Sequence, residues 1–295
     1  MFRLRRRWVS IAVLFGLAVA WQIVSLVFRG EAAPGEPFVP GWQILVTRTF
    51  LSLSDYWQGG LGVAATASGG HRTYEGAILA VISNSYDTCI RLFAGLLLGA
   101  LVGFVLGFTV AVSRWARRLV ALPANIVRTF PLLAMIPLFQ LWFGITFLGM
   151  VLFVAYGVGV IFFVGTMNAV ANVPRLYTDY ARTLGASTWR MYRTVVLPAI
   201  FPELRSSILL SLGIGWTAVL GAEYLGAQTG LGQIIVFSEQ FAYVDRMFLV
   251  ALLFVLYASL SYALFDTLYE VRIAGHGAFE VHEWTDSDDP VSRLC

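Results

Sequence analysis

Six stretches of this sequence are apolar for about the length a helix needs to cross a bilayer, and this limits the fold before any motif is read. A hydrocarbon core of about 30 Å takes roughly 20 apolar helical residues. Windows of that kind fall at residues 8–28, 88–112, 122–145, 150–170, 203–220 and 248–269. Inside a bilayer every backbone polar group needs a partner within the protein, so spans of this kind are helical. With 58% apolar and only 13% charged residues, a soluble globular domain is excluded. The expected fold class is therefore all-α, a polytopic transmembrane helical bundle of about six spans.

The charges orient that bundle. All 20 basic residues are Arg, and there is no Lys. A phosphate-binding loop of the G-x-x-x-x-G-K-[ST] kind needs a Lys, so this chain carries no such nucleotide site. A Schiff-base Lys is excluded on the same ground. Arg3, Arg5, Arg6 and Arg7 precede the first apolar window, and Arg114, Arg117 and Arg118 follow the second. Basic flanks stay cytoplasmic, which places both termini inside. The first window is longer than the apolar core of a cleaved signal, so the reading keeps it as a span.

Four regions follow. Residues 1–29 hold the Arg cluster and first span, and 30–83 form an external loop. Within that loop, 41–57 is expected as an amphipathic stretch along the membrane surface and 59–76 as a mobile, Gly-rich passage. Residues 84–272 carry five further spans, the last containing Asp266, and 273–295 is an acidic cytoplasmic tail. Cys89 and Cys295 fall on opposite sides, so no disulfide is expected. His276 and His282 lack a third ligand at metal-binding spacing, and no metal site is expected.

Several patterns stand out within the core. Gly95, Gly99, Gly103 and Gly107 recur every four residues and predict a face for close helix packing. Pro123, Pro131 and Pro137 punctuate the third window, which should be kinked or broken. Broken membrane helices are tolerated where neighbours or a cavity satisfy the freed carbonyls, so Pro131 and Pro137 are candidates for a pathway lining. Glu223, with Gly230 and Gly232 close behind, is a further pathway or gate candidate, because an ionisable group at membrane depth is functional by default. Arg128 also sits inside a window.

The longest polar passage between spans is 174–202. It reads as a helix over 176–184, a break at Gly185, an N-cap at Ser187 and a second short helix that Leu197 and Pro198 end. Trp189, Tyr192, Arg193 and Val196 follow at helical spacing and are expected on one face, suited to a groove on another protein or to the headgroup layer.

The sequence DYARTLGASTWRMYRTVVLPAIFP resembles the cytoplasmic E-A-A…G…L-P motif of binding-protein-dependent ABC importer permeases. Asp179, Ala181, Gly185, Leu197 and Pro198 fall on its main positions; Asp179 replaces Glu, and Tyr180 replaces the first Ala. RTFPLLAMIPLFQLWFG and GAEYLGAQTGLGQ are similar to the nitrate, sulfonate, taurine and bicarbonate branch of those permeases. The similarity covers roughly 88–272.

The resemblance implies a type I (MetI-like) permease in a bacterial inner membrane, one of two copies. It works with two cytoplasmic ATPase subunits and an external substrate-binding protein. It would carry no catalytic residue, metal, cofactor or nucleic acid of its own, ATP and Mg being bound by the ATPase. Residues 179–198, including Ala186 and Ser187, would form the coupling helix, and a small anion is the expected solute. A cationic or neutral solute such as a pyrimidine precursor, or a stand-alone transporter or channel, are the alternatives.

Overall fold

The computed structural model of the protein describes residues 2–28, 30–224 and 226–275. Helix α1 (Phe2–Val27) carries the first apolar window. A short antiparallel hairpin follows, β1 (Glu31–Ala33) and β2 (Glu36–Pro37), turned at Gly35 with φ +80°. Then come α2 (Trp42–Ile44), a π-helical turn over Leu45–Thr49, α3 (Phe50–Ser52) and a 3-10 turn over Leu53–Tyr56. The remaining helices are α4 (Tyr74–Val112), α5 (Arg114–Thr129), α6 (Ile136–Phe143), α7 (Phe147–Asn172), α8 (Arg175–Thr183), α9 (Thr188–Met191), α10 (Leu197–Ile200), α11 (Leu204–Tyr224), α12 (Leu231–Gln240) and α13 (Val244–Gly275).

Among the described residues, four helices are long and apolar enough to cross a membrane: α4, α7, α11 and α13 over Val244–Glu270. Helix α1 runs through the first expected span as one continuous helix, its apolar part including Ala12–Val27, whereas the third is represented by the shorter apolar helix Leu132–Phe143. The third is broken, as its prolines suggest. Pro123 lies inside α5, Phe130 and Pro131 are extended, a 3-10 turn covers Leu132–Met135, and Pro137 takes a first-turn place in α6. That place leaves the missing N–H without cost.

The glycine series organises the centre. A Cβ added at Gly95 would come within 2.5 Å of Val154 Cβ, at Gly99 within 2.5 Å of Ala155 O, and at Gly107 within 2.6 Å of Phe163 O. Gly103 lies closer still, against Gly159. Both partner series climb together, so α4 and α7 run parallel with backbone nearly touching backbone. Helix α11 meets α7 in the opposite sense, Gly157 facing Ile214 and Gly165 facing Ser207. Because α4 and α7 are parallel, the chain from 113 to 146 has to return along the bundle between them. The broken segment therefore makes that return. The main core gathers Leu92, Phe153, Val154, Val158, Trp216 and Val219 around this seam.

The 30–83 region differs from its expectation. Leu45, Thr49 and Leu53 repeat every four residues and all turn inward, and Leu53 joins the main core. The stretch 41–57 therefore packs one face on the bundle. Trp42 fixes it by donating its ring N–H to Ala18 O at 2.9 Å and its backbone N–H to Gln22 Oε1 at 3.1 Å. Trp21 stacks on Phe248, centroids 4.2 Å apart. The Gly-rich passage is held too, by Trp57 donating to Val63 O at 3.0 Å and by a two-pronged pair from Arg72 to Asp55 at 2.9 and 2.8 Å. Arg48 pairs with Glu36, whose carboxyl is pushed up by burial and by nearby Asp245, against the pull of Arg48 and Arg246. Thr73 caps α4, accepting from Gly76 N at 3.0 Å, so the boundary placed at 84 falls inside a helix that begins at Tyr74.

The chain is compact up to Ala258, and residues from Ser259 form a second unit. The described part of that unit is the end of α13, with Phe265 and Tyr269 stacked at 6.0 Å. Most of the acidic tail, with Cys295, His276 and His282, lies outside the described residues.

Gly103→Leu should lower the stability of the purified chain by about 1–3 kcal/mol or more, since overpacking has no slack here. Gly16, with nothing within 4 Å of an added Cβ, should accept Ala within about 0.5 kcal/mol. Thermal unfolding of the two variants in detergent checks the contrast.

Candidate functional site

Two places gather the residues singled out above: the polar loop after α7, and the end of α11.

The polar loop begins with α8, whose end is a complete Schellman cap. Gly185 takes φ +77°, its N–H bonds Arg182 O at 2.9 Å, and Ala186 N–H bonds Ala181 O at 3.0 Å. Only a residue tolerant of the left-handed region sits easily there. Asp179 is exposed and 3.8 Å from Arg182, one turn along. Ala181 is buried. Ser187 then caps the next helix, its Oγ accepting from Arg190 N at 3.4 Å.

That second helix departs from its expected form. Leu197 and Pro198 do not end it. It runs from Thr188 through a π-helical turn over Tyr192–Val196 into α10 and stops only after Ile200. Proline clashes with the carbonyl four residues back and lacks an N–H. The wider π turn ahead of Pro198 relieves both problems. The turn also splits the expected common face. Trp189 is 71% exposed, whereas Val196 is buried and Tyr192 is half-buried, edge-on to Phe108 at 6.2 Å. Met191, Val196 and Ile200 point inward, and Val196 and Ile200 pack with Ala169 and Leu204. Arg193 is exposed. Five large apolar or aromatic side chains stand outward on this loop, Leu176, Tyr177, Tyr180, Leu184 and Trp189, among the exposed charges of Arg175, Asp179, Arg182, Arg190 and Arg193.

Glu223 sits at the end of α11 with no exposed surface. Its Oε1 accepts from Arg91 Nη1 at 2.6 Å, and its Oε2 accepts from Thr88 Oγ1 and from the backbone N–H of Gly232, each at 2.9 Å. Arg91 also donates to Thr229 O and Thr229 Oγ1 at 2.7 Å. Thr88 Oγ1 accepts from Leu231 N, and Asn84 Oδ1 from Gly230 N, each at 2.9 Å. Gly230, at φ +110°, has no room for a side chain, because a Cβ would meet Glu223 Oε1 at 2.5 Å and Arg91 Nη1 at 2.6 Å. At Gly232 a Cβ would meet Glu223 Cβ at 2.6 Å.

These contacts give the gate candidates a structural role in this conformation. A fully enclosed carboxylate with both oxygens engaged faces no pathway in this conformation. Glu223, Gly230 and Gly232 instead form a buried clamp holding α4, α11 and the segment before α12 together. Arg91, Thr88, Asn84 and Thr229 complete it, and sequence reasoning missed them. The signal was present, since Asn84, Thr88 and Arg91 extend the glycine face of α4 by the same helical steps. Pro131 and Pro137 are exposed at the break before α6 and take no part in either place.

Residues 95–274 match the family described as "Binding-protein-dependent transport system inner membrane component". A Bacillus subtilis protein named as an aliphatic sulfonates transport permease, SsuC, is 31% identical over 171 residues, which cover 58% of this chain and 62% of that protein. Its Escherichia coli namesake is 28% identical over 194 residues, covering 63% and 74%. The Escherichia coli taurine transport system permease protein TauC is 29% identical over 156 residues, covering 53% and 55%. The chain thus spans about three fifths of the Bacillus subtilis relative's length. A solved structure of the MetNI methionine ABC transporter in an inward-facing conformation superposes with a TM-score of 0.55. It is 23% identical and covers 63% of this chain and 93% of that one. At that identity the likeness is one of fold.

Removing one partner of a buried pair strands the other. Arg91→Met should cost about 3–5 kcal/mol. Arg91→Met with Glu223→Met should cost clearly less than the sum of the two single changes. Unfolding midpoints of the four proteins in detergent give the coupling directly.

Proposed function

The chain belongs to the family of binding-protein-dependent transport system inner membrane components, and from that premise we propose that it is the permease subunit of an ATP-driven importer for a small anion. In this reading the loop 174–202 faces the cytoplasm, as do both termini. It docks on a separate ATPase that supplies the nucleotide site this Lys-free chain lacks, with ATP and Mg bound there. A second copy of the permease completes the pathway, and an external binding protein delivers the solute.

One observation carries the docking proposal. Five large apolar side chains stand exposed on a loop that is otherwise polar and rigidly capped. A monomer surface seldom gathers such residues without a partner. An amphipathic face of this kind fits a groove on another protein. Nucleotide-driven movement of the groove then rotates the helix, and the buried root at Val196 and Ile200 passes the motion to α7 and α11. The anion assignment rests on the sulfonate and taurine names of the relatives.

Trp189 and Tyr192 separate docking from stability. Trp189→Ala should leave the unfolding temperature unchanged and weaken ATPase association by about 2 kcal/mol, or about thirtyfold. Tyr192→Ala should lower the unfolding temperature instead, because it removes the contact with Phe108. Co-purification with the ATPase and ATP-driven uptake into proteoliposomes read the first effect. Unchanged association in Trp189→Ala would sink the docking proposal.

A further inference from the structure

A cavity of about 400 Å³ opens between α5, α7 and α11. Its polar lining is Arg128, Asn168, Asn172, Glu203, Ser206 and Ser207. On α7 it runs from Val160 to Asn172, which at 1.5 Å per residue is about 18 Å, from mid-helix to the helix end. Helices α7 and α11 are both among those able to cross a membrane, so this is polar space at membrane depth.

Its two charged groups are placed differently. Glu203 accepts a hydrogen bond from the Asn172 side chain, at the end of α7. Arg128 takes part in none of the described hydrogen bonds or ion pairs and is exposed to the cavity. Its neighbour Val127 lines a separate apolar groove with Tyr156 and Val160, which sets this part of α5 at the level of mid-α7. Gly165 lets α11 come close to α7 beside the cavity, since a Cβ there would collide with Ser207. An unpaired guanidinium in such a place is costly and calls for an occupant.

We infer that the cavity is a waypoint for a compact oxyanion of the sulfonate or carboxylate kind, with Arg128 as its charged ligand. The planar fork of the guanidinium matches two oxygens of such a head. Asn168 supplies a further donor from α7, while the Ser206 hydroxyl beside it donates to Glu203 O at 3.0 Å. Glu203, further along, repels the same anion and so favours its departure, and conduction needs binding sites that release as well as hold. The inference rests on the importer reading and gives its solute a place on this chain.

The test uses the full chain in phosphatidylcholine membranes, with Cys89 and Cys295 replaced by Ser and Ser206→Cys as reporter. A sulfonatoethyl thiosulfonate reagent and its trimethylammonium counterpart are compared by their rates of modification. With Arg128 present the sulfonate reagent should be favoured on the order of tenfold relative to the same pair of reagents acting on Arg128→Gln. Arg128→Lys should keep most of that preference, and free ethanesulfonate should slow the sulfonate reagent.

A rate ratio indifferent to residue 128 would overturn the inference. So would loss of the preference on adding anionic lipid, which would make a headgroup the occupant. The importer reading is read separately, by ATP-driven uptake in the complex with its ATPase. A preserved preference without ATP-driven uptake overturns that reading and leaves the waypoint standing.

Discussion

A guanidinium and a carboxylate withdrawn from water together are stable only if their mutual attraction is joined by hydrogen bonds to the remaining oxygens and protons. Arg91 and Glu223 meet that condition through three separate pieces of chain at both carboxylate oxygens and both terminal guanidinium nitrogens, leaving Arg91 Nε as the one buried atom of the pair without a partner among the described residues. Thr88 and Asn84 come from the same helix as Arg91, Glu223 ends α11, and Thr229 to Gly232 lead into α12. The clamp sets the depth at which α4 and α11 sit beside one another. Below it, the glycines of α4 continue on the same face and bring α7 to backbone contact. Polar clamp and glycine seam are two halves of one stripe, the first fixing register and the second fixing distance.

Much of this was legible in the sequence for simple reasons. Apolar length gave the long helices, the four-residue glycine repeat gave the packed face, and Gly185 and Ser187 gave the caps of the polar loop. Resemblance to importer permeases gave the family. What was not legible depended on distant partners. Arg91 reads as an interfacial charge until Glu223, far along the chain, is placed against it. Leu45, Thr49 and Leu53 carry an inward stripe, but neighbouring Arg48 and Asp55 hid its packing on the bundle. Leu197-Pro198 looked like a stop because a regular α-helix cannot hold proline there, and a local π turn can.

The polar loop and the seam are joined physically. Tyr192 rests on Phe108 of α4, one residue after Gly107, and Ile200 shares a small core with Ala169 of α7. On the proposed reading, force arriving at the loop enters the two helices whose backbones touch most closely. Such a pair has little side-chain cushion between its members, so it moves as one body, while the return segment 113–146 is interrupted at Pro131 and can bend.

The π turn at Tyr192–Val196 has a consequence for how the loop can vary. A π turn holds one residue more than the α turn it replaces, so the helix beyond it is set back in phase by about 100°, one residue's share of a 3.6-residue turn. The inward residues show this directly, since Met191 and Val196 are five apart where Val196 and Ile200 are four apart. The outward face at Trp189 and the root at Ile200 are thus indexed independently of each other. Loss of a single residue here would leave the exposed side chains as they are and yet turn Trp189 about a quarter of the way around its own helix axis relative to the root at Ile200, so in this loop length is a more sensitive variable than composition.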